Sequence, residues 1–266
     1  MKLENYHQQS SFFLIAGTCV VENEEITLAT ADYLINLCKK LDIPLVYKGS
    51  FKKANRTSIN SFTGIGDLAA LEMLAKVRHT YNCPVLTDIH ESKDAAIAAK
   101  YVDVLQIPSF LFRQTDLLMA AAETGCHVNI KKGQFAGADA MKHAMQKVSD
   151  SGNNNIWLTE RGNMFGYTDM IVDYRNIPVM QSFGVPVIVD CTHSVQQPNN
   201  GSGTTGGKPE MISTIAKAAI AVGADGLFLE THPNPKLALS DGANMLALNE
   251  LEPLLVALLK IRAAVV

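Results

Sequence analysis

The chain has 266 residues, a formal net charge of −3, 47% hydrophobic residues and 18% charged ones. That length suits one large domain or two small ones, and the composition is that of a globular protein with ample core. The slightly acidic balance argues against a nucleic-acid binder, and no run approaches the roughly 20 apolar residues that a membrane-spanning helix needs.

Five cysteines (Cys19, Cys38, Cys83, Cys126 and Cys191) lie scattered without paired spacing. An odd, unpaired set fits a reducing compartment better than a disulfide scaffold. Residues 14–19 loosely resemble a lipoprotein cleavage site, but the apolar run from Phe12 is short and Glu4 stands where a secretion signal is basic. The expected location is the cytoplasm.

In chain order, short runs suited to strands fall at 12–16, 45–48, 85–88, 102–106, 127–131, 156–160, 187–190 and 226–230. Helical patterns lie between them, among them 66–81, 115–124, 209–222 and 249–264. Asp94 and Asp116 read as helix-start chemistry, and Gly125 and Gly223 as helix stops. Near-continuous apolar strands such as Val187-Ile-Val189 and Leu227-Phe-Leu229 imply burial on both faces, as in a parallel sheet. Eight β/α units in about 250 residues predict an α/β fold, a single (β/α)8 TIM barrel of eight parallel strands. No linker divides the chain, so 1–266 is expected to be one catalytic domain. An open doubly wound sheet is the alternative, weakened because no Gly-x-Gly-x-x-Gly follows the first strand.

Every strand run leads into polar or ionisable residues. The first gives Cys19, the second Lys48, Lys53, Asn55 and Arg56, the third Asp88 and His90, and the fourth Gln106. Lys131 and Lys132 follow from the fifth, Glu160 and Arg161 from the sixth, Asp190 and His193 from the seventh, and Glu230, His232 and then Asp241 from the eighth. In a barrel these ends share one rim, which is where such folds place active sites.

The densest stretch is 48–58, where Lys48, Lys52, Lys53 and Arg56 crowd together with Ser50, Asn55, Thr57 and Ser58. So many donors suit a doubly or triply charged anion. With Lys131 and Arg161 added, the cations exceed what one phosphate needs, which implies two anionic groups. Cys19, His193, Glu230 and Asp241 form a mixed soft and hard ligand set suited to zinc, iron(II) or manganese, on strand ends that closure makes neighbours. The Gly-rich stretch 198–207 reads as a lid and lacks a nucleotide P-loop ending. His7, His79 and His143 are expected on the surface, Met73 and Met119 in the core, and Trp157 in packing.

Several strings resemble the 3-deoxy-D-manno-octulosonate 8-phosphate synthase family. They are Lys48-Gly-Ser-Phe-Lys-Lys-Ala-Asn-Arg-Thr-Ser58, Gln106-Ile-Pro-Ser-Phe-Leu-Phe-Arg-Gln-Thr-Asp116, Asn129-Ile-Lys-Lys-Gly-Gln-Phe135 and Thr159-Glu-Arg-Gly162 with Phe165-Gly-Tyr167. Asp190-Cys-Thr-His-Ser-Val-Gln196 and Glu230-Thr-His-Pro-Asn-Pro235 with Leu239-Ser-Asp241 complete them. The resemblance covers nearly the whole chain. It implies a transferase of lipopolysaccharide biosynthesis that condenses phosphoenolpyruvate with arabinose 5-phosphate and releases phosphate, assembled as a homotetramer.

Carried across, Lys48, Ser50, Lys53, Gln106, Lys131 and Arg161 would hold phosphoenolpyruvate. Asn55, Arg56 and Thr57 would grip the sugar phosphate, with Arg113 reaching in from a neighbouring subunit, and Asp88 would contact the sugar end. Lys48, Lys53, Asp88, Lys131, His193 and Asp241 would act on the reacting centre. Cys19 after the first strand is similar to the family's metal-dependent class, implying a divalent ion (zinc, iron, manganese or cobalt) on Cys19, His193, Glu230 and Asp241. The sequence departs from the pattern at Thr18, at 136–139 and at Lys208-Pro209, which bears on rigidity and lid closure. The rival readings are a sister synthase taking erythrose 4-phosphate or an amino sugar, a Schiff-base aldolase using Lys131 or Lys48, and a non-catalytic sugar-phosphate sensor.

Overall fold

The computed structural model describes residues 3, 6, 12–54, 59–165, 168–197 and 206–265. It opens with β1 (Phe13–Val20), α1 (Glu24–Leu41), β2 (Leu45–Ser50), α2 (Asp67–Tyr81), β3 (Val85–Asp88), α3 (Ser92–Ala98) and β4 (Val104–Ile107). Then come α4 (Thr115–Glu123), β5 (His127–Lys131), α5 (Asp139–Asp150), β6 (Ile156–Glu160), α6 (Asn176–Gln181) and β7 (Val187–Asp190). A two-rung hairpin, β8 (Gln196–Gln197) with β9 (Gly206–Gly207), precedes α7 (Ile212–Ala221), β10 (Gly226–His232), β11 (Leu246–Ala247) and α8 (Leu248–Val265).

β1 to β7 pair in sequence order, β10 pairs with β7, and β10 closes onto β1 from Phe13↔Gly226 to Gly17↔Glu230. All eight ring strands are parallel, so the expected (β/α)8 barrel is the fold. The open-sheet alternative falls with the β1–β10 pairing. No helix among the described residues is long and apolar enough to cross a membrane.

Strand alternation sorts the apolar residues into two cores. Phe13, Ile15, Val46, Leu86, Val104, Trp157, Ile188 and Phe228 fill the barrel interior, with Tyr6 and Leu3 against them. Their partners on the other strand face, such as Leu14, Tyr47, Leu105 and Leu227, pack under the helices. Trp157 lies against Phe13 and His127 near the start of the strands, the packing role expected of it.

Four strands depart from their sequence bounds. β1 runs to Val20, β2 to Ser50 and β10 to His232, placing Cys19, Ser50 and His232 within strands rather than beyond them. β4 starts at Val104, because the Val102 amide still bonds back to the Ala98 carbonyl at the end of α3. Asp94 does serve a helix start, as the partner of Glu91 in a capping box, whereas no side-chain cap bond precedes Thr115 and Asp116. Met73 packs on the core as expected, but Met119 is 41% exposed, on the outward face of α4.

Candidate active site

The mouth is set by how β1 meets β2. A Cβ on Gly17 would stand 1.9 Å from the Lys48 carbonyl oxygen, so glycine alone lets the two strands approach this closely. The register then shifts between Gly17 and Val20, and the Thr18 and Cys19 carbonyls accept from Lys48 Nζ at 3.3 and 2.6 Å. Glu230 Oε1 receives the same ammonium at 2.5 Å. Burial works against the Lys48 charge, yet Glu230, Cys19 and Asp88 outweigh it and raise its pKa. The departure at Thr18 is accommodated, its hydroxyl donating to the Val20 carbonyl.

Beside this pair, Lys53 Nζ lies 2.5 Å from Asp241 Oδ2 and 3.1 Å from Cys19 Sγ. Burial would raise the Asp241 carboxyl, but Lys53 and His193 overcome it and bring it down to about 2. The Cys19 thiol is pushed up to about 12, by burial first and the Glu230 charge second. Ligand atoms of Cys19, Glu230 and Asp241 all lie within 4.8 Å of one another. Glu230 Oε2 is buried without a hydrogen-bond partner among the described residues. One sulfur and two carboxylates, one of them with an orphaned buried oxygen, fit a divalent metal ion.

The fourth expected ligand, His193, stands at the edge of this cluster. Its Nδ1 is 2.8 Å from Asp190 Oδ2 and its Nε2 3.8 Å from Glu230 Oε1. A carboxylate on one ring nitrogen fixes the ring with the other turned toward Glu230.

Asp190 is the hub of the opposite wall. It accepts from the amides of Thr192 and His193 and from Lys131 Nζ at 2.6 Å. Burial opposes its charge, but His193, Lys131 and Arg161 hold it well below the usual carboxylate range. Lys131 lies 3.6 Å over the Phe228 ring, and its pKa is lowered by burial, against the pull of Asp190. Arg161 is 4% exposed and gives Nη2 to Gln196 Oε1 at 2.9 Å. Its Nε and Nη1 have no partner among the described residues. Buried guanidinium donors left this way make a seat for an anion.

On the β2–β3 side, the Ser50 hydroxyl donates to Asp88 Oδ1, and His90 Nε2 is 3.1 Å from Asp88 Oδ2. Burial would raise Asp88, but His90, Lys48 and Ser50 together hold it well below its ordinary value. Gln106 is buried and accepts from Asn129 Nδ2 at 3.0 Å.

The remaining expected residues lie outside this mouth or outside the described residues. Asn55, Arg56, Thr57 and Ser58 lie outside the described residues, as do His7 and 198–205 of the expected lid; its root is the β8–β9 hairpin. Lys52 is 3.7 Å from Asp67, away from the mouth. Arg113 is exposed, lining an outer cavity with Phe112, Phe135, His143 and Lys147. Lys132, Glu160 and His232 do not join the mouth. Lys132 and Glu160 form a buried pair at 3.4 Å, and His232 Nε2 sits 3.7 Å from Glu22 Oε2. Strand alternation explains Lys132 and Glu160: each precedes or follows a mouth residue, Lys131 or Arg161, and so faces the other way. Sequence reasoning passed over Gln196, whose only signal was its place at the lid's edge.

The DAHP synthetase I family matches residues 6–265. A protein of Cyanothece sp. named 2-dehydro-3-deoxyphosphooctonate aldolase is 51% identical over 253 residues, covering 95% of this chain and 93% of its own. Proteins of the same name from Trichlorobacter lovleyi and Rhizobium meliloti are 51% and 48% identical, covering 95% and 96% of this chain and 93% and 91% of theirs. With a ring closed by β10 on β1 and one polar mouth, the chain belongs to the DAHP synthetase I family, as a relative of its 2-dehydro-3-deoxyphosphooctonate aldolases.

Proposed function

We propose that the chain, as one catalytic unit over 1–266, condenses phosphoenolpyruvate with D-arabinose 5-phosphate. The enol carbon bonds to the sugar aldehyde carbon, water adds to the neighbouring carbon, and inorganic phosphate leaves. The product is 3-deoxy-D-manno-octulosonate 8-phosphate. The name carried by relatives at 48–51% identity supports this product. The observation that carries the reading is Arg161, buried with two nitrogens that have no partner among the described residues, in a mouth it shares with Lys131 and Lys48.

Lys48, Ser50, Lys53, Gln106, Lys131 and Arg161 hold phosphoenolpyruvate, neutralising its carboxylate and phosphate. Asn55, Arg56 and Thr57 hold the sugar phosphate with Arg113 of the partner subunit, in a homotetramer, and Asp88 takes the sugar end. Lys131 Nζ, its pKa lowered by burial, is suited to give a proton to the departing phosphate. Asp190 keeps both Lys131 and His193 in place. A divalent zinc, iron, manganese or cobalt ion on Cys19, His193, Glu230 and Asp241 supplies Lewis acidity for the aldehyde or the attacking water. The reaction belongs to lipopolysaccharide biosynthesis in the cytoplasm.

The test is phosphate release from phosphoenolpyruvate with each aldehyde, with and without a chelator. Arabinose 5-phosphate should be preferred at least tenfold, a difference of about 1.4 kcal/mol in transition-state stabilisation, and chelation should abolish turnover until metal is restored. Preference for erythrose 4-phosphate overturns the substrate, and full activity after chelation overturns the metal.

A further inference from the structure

Behind the mouth, outside every group assigned above, lies a second polar cluster. Lys132 and Glu160 are both 0% exposed, an expensive place for charge unless each is fully bonded. Lys132 Nζ donates to Asn163 Oδ1 at 2.8 Å and to the Ala136 carbonyl at 3.1 Å, with Glu160 Oε1 at 3.4 Å. Glu160 Oε1 accepts from the amides of Arg161 at 3.0 Å and Gly162 at 2.6 Å, and its Oε2 from Asn176 Nδ2 at 2.8 Å. Asn163 Nδ2 completes the loop of bonds by donating to the Ala136 carbonyl at 2.9 Å.

Its two charged members are each joined in the chain to a mouth residue. Lys132 follows Lys131, and Glu160 precedes Arg161, whose amide it holds. Gly162, with φ +86°, makes the turn that Glu160 grips. The cluster therefore spans the ends of β5 and β6 from behind and fixes the distance between Lys131 and Arg161.

We infer that Lys132, Glu160 and Asn163 are positioning residues, a buried clamp that sets the spacing of Lys131 and Arg161 and so tunes the grip on phosphoenolpyruvate. The inference rests on the assignment of those two cations to phosphoenolpyruvate made above. It predicts a selective effect, because Asp88, which takes the sugar end, stands on β3 and bonds to Ser50 and His90 rather than to any member of the clamp.

The test uses the full-length enzyme and three variants. Asn163→Ala loosens the clamp without stranding a buried charge, Lys132→Met/Glu160→Gln removes both charges together, and Glu160→Gln alone keeps an acceptor for the Arg161 and Gly162 amides. Asn163→Ala and the double variant should raise KM for phosphoenolpyruvate roughly tenfold, in line with the cost of small misplacements of binding groups. Its Kd, by calorimetry with phosphoenolpyruvate alone, should rise in parallel. KM for arabinose 5-phosphate should stay within about twofold, and Glu160→Gln should recover part of the loss seen in the double variant. If the double variant fails to fold, Asn163→Ala carries the test alone. An unchanged phosphoenolpyruvate KM in folded Asn163→Ala, or both KM values rising together, overturns the clamp. Wild-type protein that binds no phosphoenolpyruvate overturns the reading of the mouth itself, and the clamp's role with it.

Discussion

Cys19 is a small buried group whose thiol, pushed to about 12, keeps its proton unless a cation displaces it. Cys19→Asn retains the volume and removes the sulfur. Metal per subunit should fall at least about tenfold, since one lost ligand in a set of this size is worth more than one outer partner. Elemental analysis beside the phosphate assay checks this, and wild-type metal content with wild-type turnover sinks the ligand assignment. Asp88 gives a pH prediction. Its folded pKa is depressed, so its contribution is fully present above the ordinary carboxylate value near 4 and is lost as pH falls toward the lowered folded one. Asp88→Asn should therefore cost about 1–3 kcal/mol at pH 7. That gap should narrow below about pH 4, as denaturation of both proteins at the two pH values would reveal. The types of these residues were legible in the sequence because charge and sulfur so rarely follow so many strands. Which of two adjacent residues faces inward was not: Lys131 and Lys132 look alike until register fixes the face, and the same is true of Glu160 and Arg161.

At the scale of elements, the β8–β9 hairpin ties two parts of the mouth together. Gln196 holds Arg161, and its cross-strand partner Gly207 lies against Asn244, three residues after Asp241. A Cβ on Gly207 would fall 1.6 Å from Asn244 Oδ1, so Gly207→Ala must displace the buried Asn244 side chain or the hairpin itself, beside the turn that carries Asp241. Turnover should drop about tenfold or more with little loss of stability. Gly207→Ala/Asn244→Ala should regain part of it in steady-state kinetics, and a double variant no better than the single one refutes the coupling. The hairpin was illegible beforehand because Gly-Gly and Gln-Gln have no strand preference. The strands 85–88, 127–131, 156–160 and 187–190 were readable to the residue, and in 187–190 burial on both faces leaves a near-continuous apolar signal. The extension of β1 through Thr18 and Cys19 was hidden, because a strand that ends in small and polar groups reads as a loop.

For the whole molecule, ring closure turns a linear scatter from Cys19 to Asp241 into one mouth, and it leaves the opposite end of the barrel to packing alone. Trp157 sits in that packing, buried among Phe13 and His127, four residues or on the order of 13 Å along β6 from Arg161. Trp157→Ala should cost roughly 3–5 kcal/mol in stability and leave both KM values near wild type, by chemical denaturation and kinetics on the folded variant. Loss of substrate affinity without loss of stability would contradict that division between floor and mouth. Because Trp157 is the sole indole in the chain, the molecule carries its own optical reporter at the barrel floor. Its emission should follow the opening of the ring in a denaturant titration and stay nearly constant as substrates fill the far end.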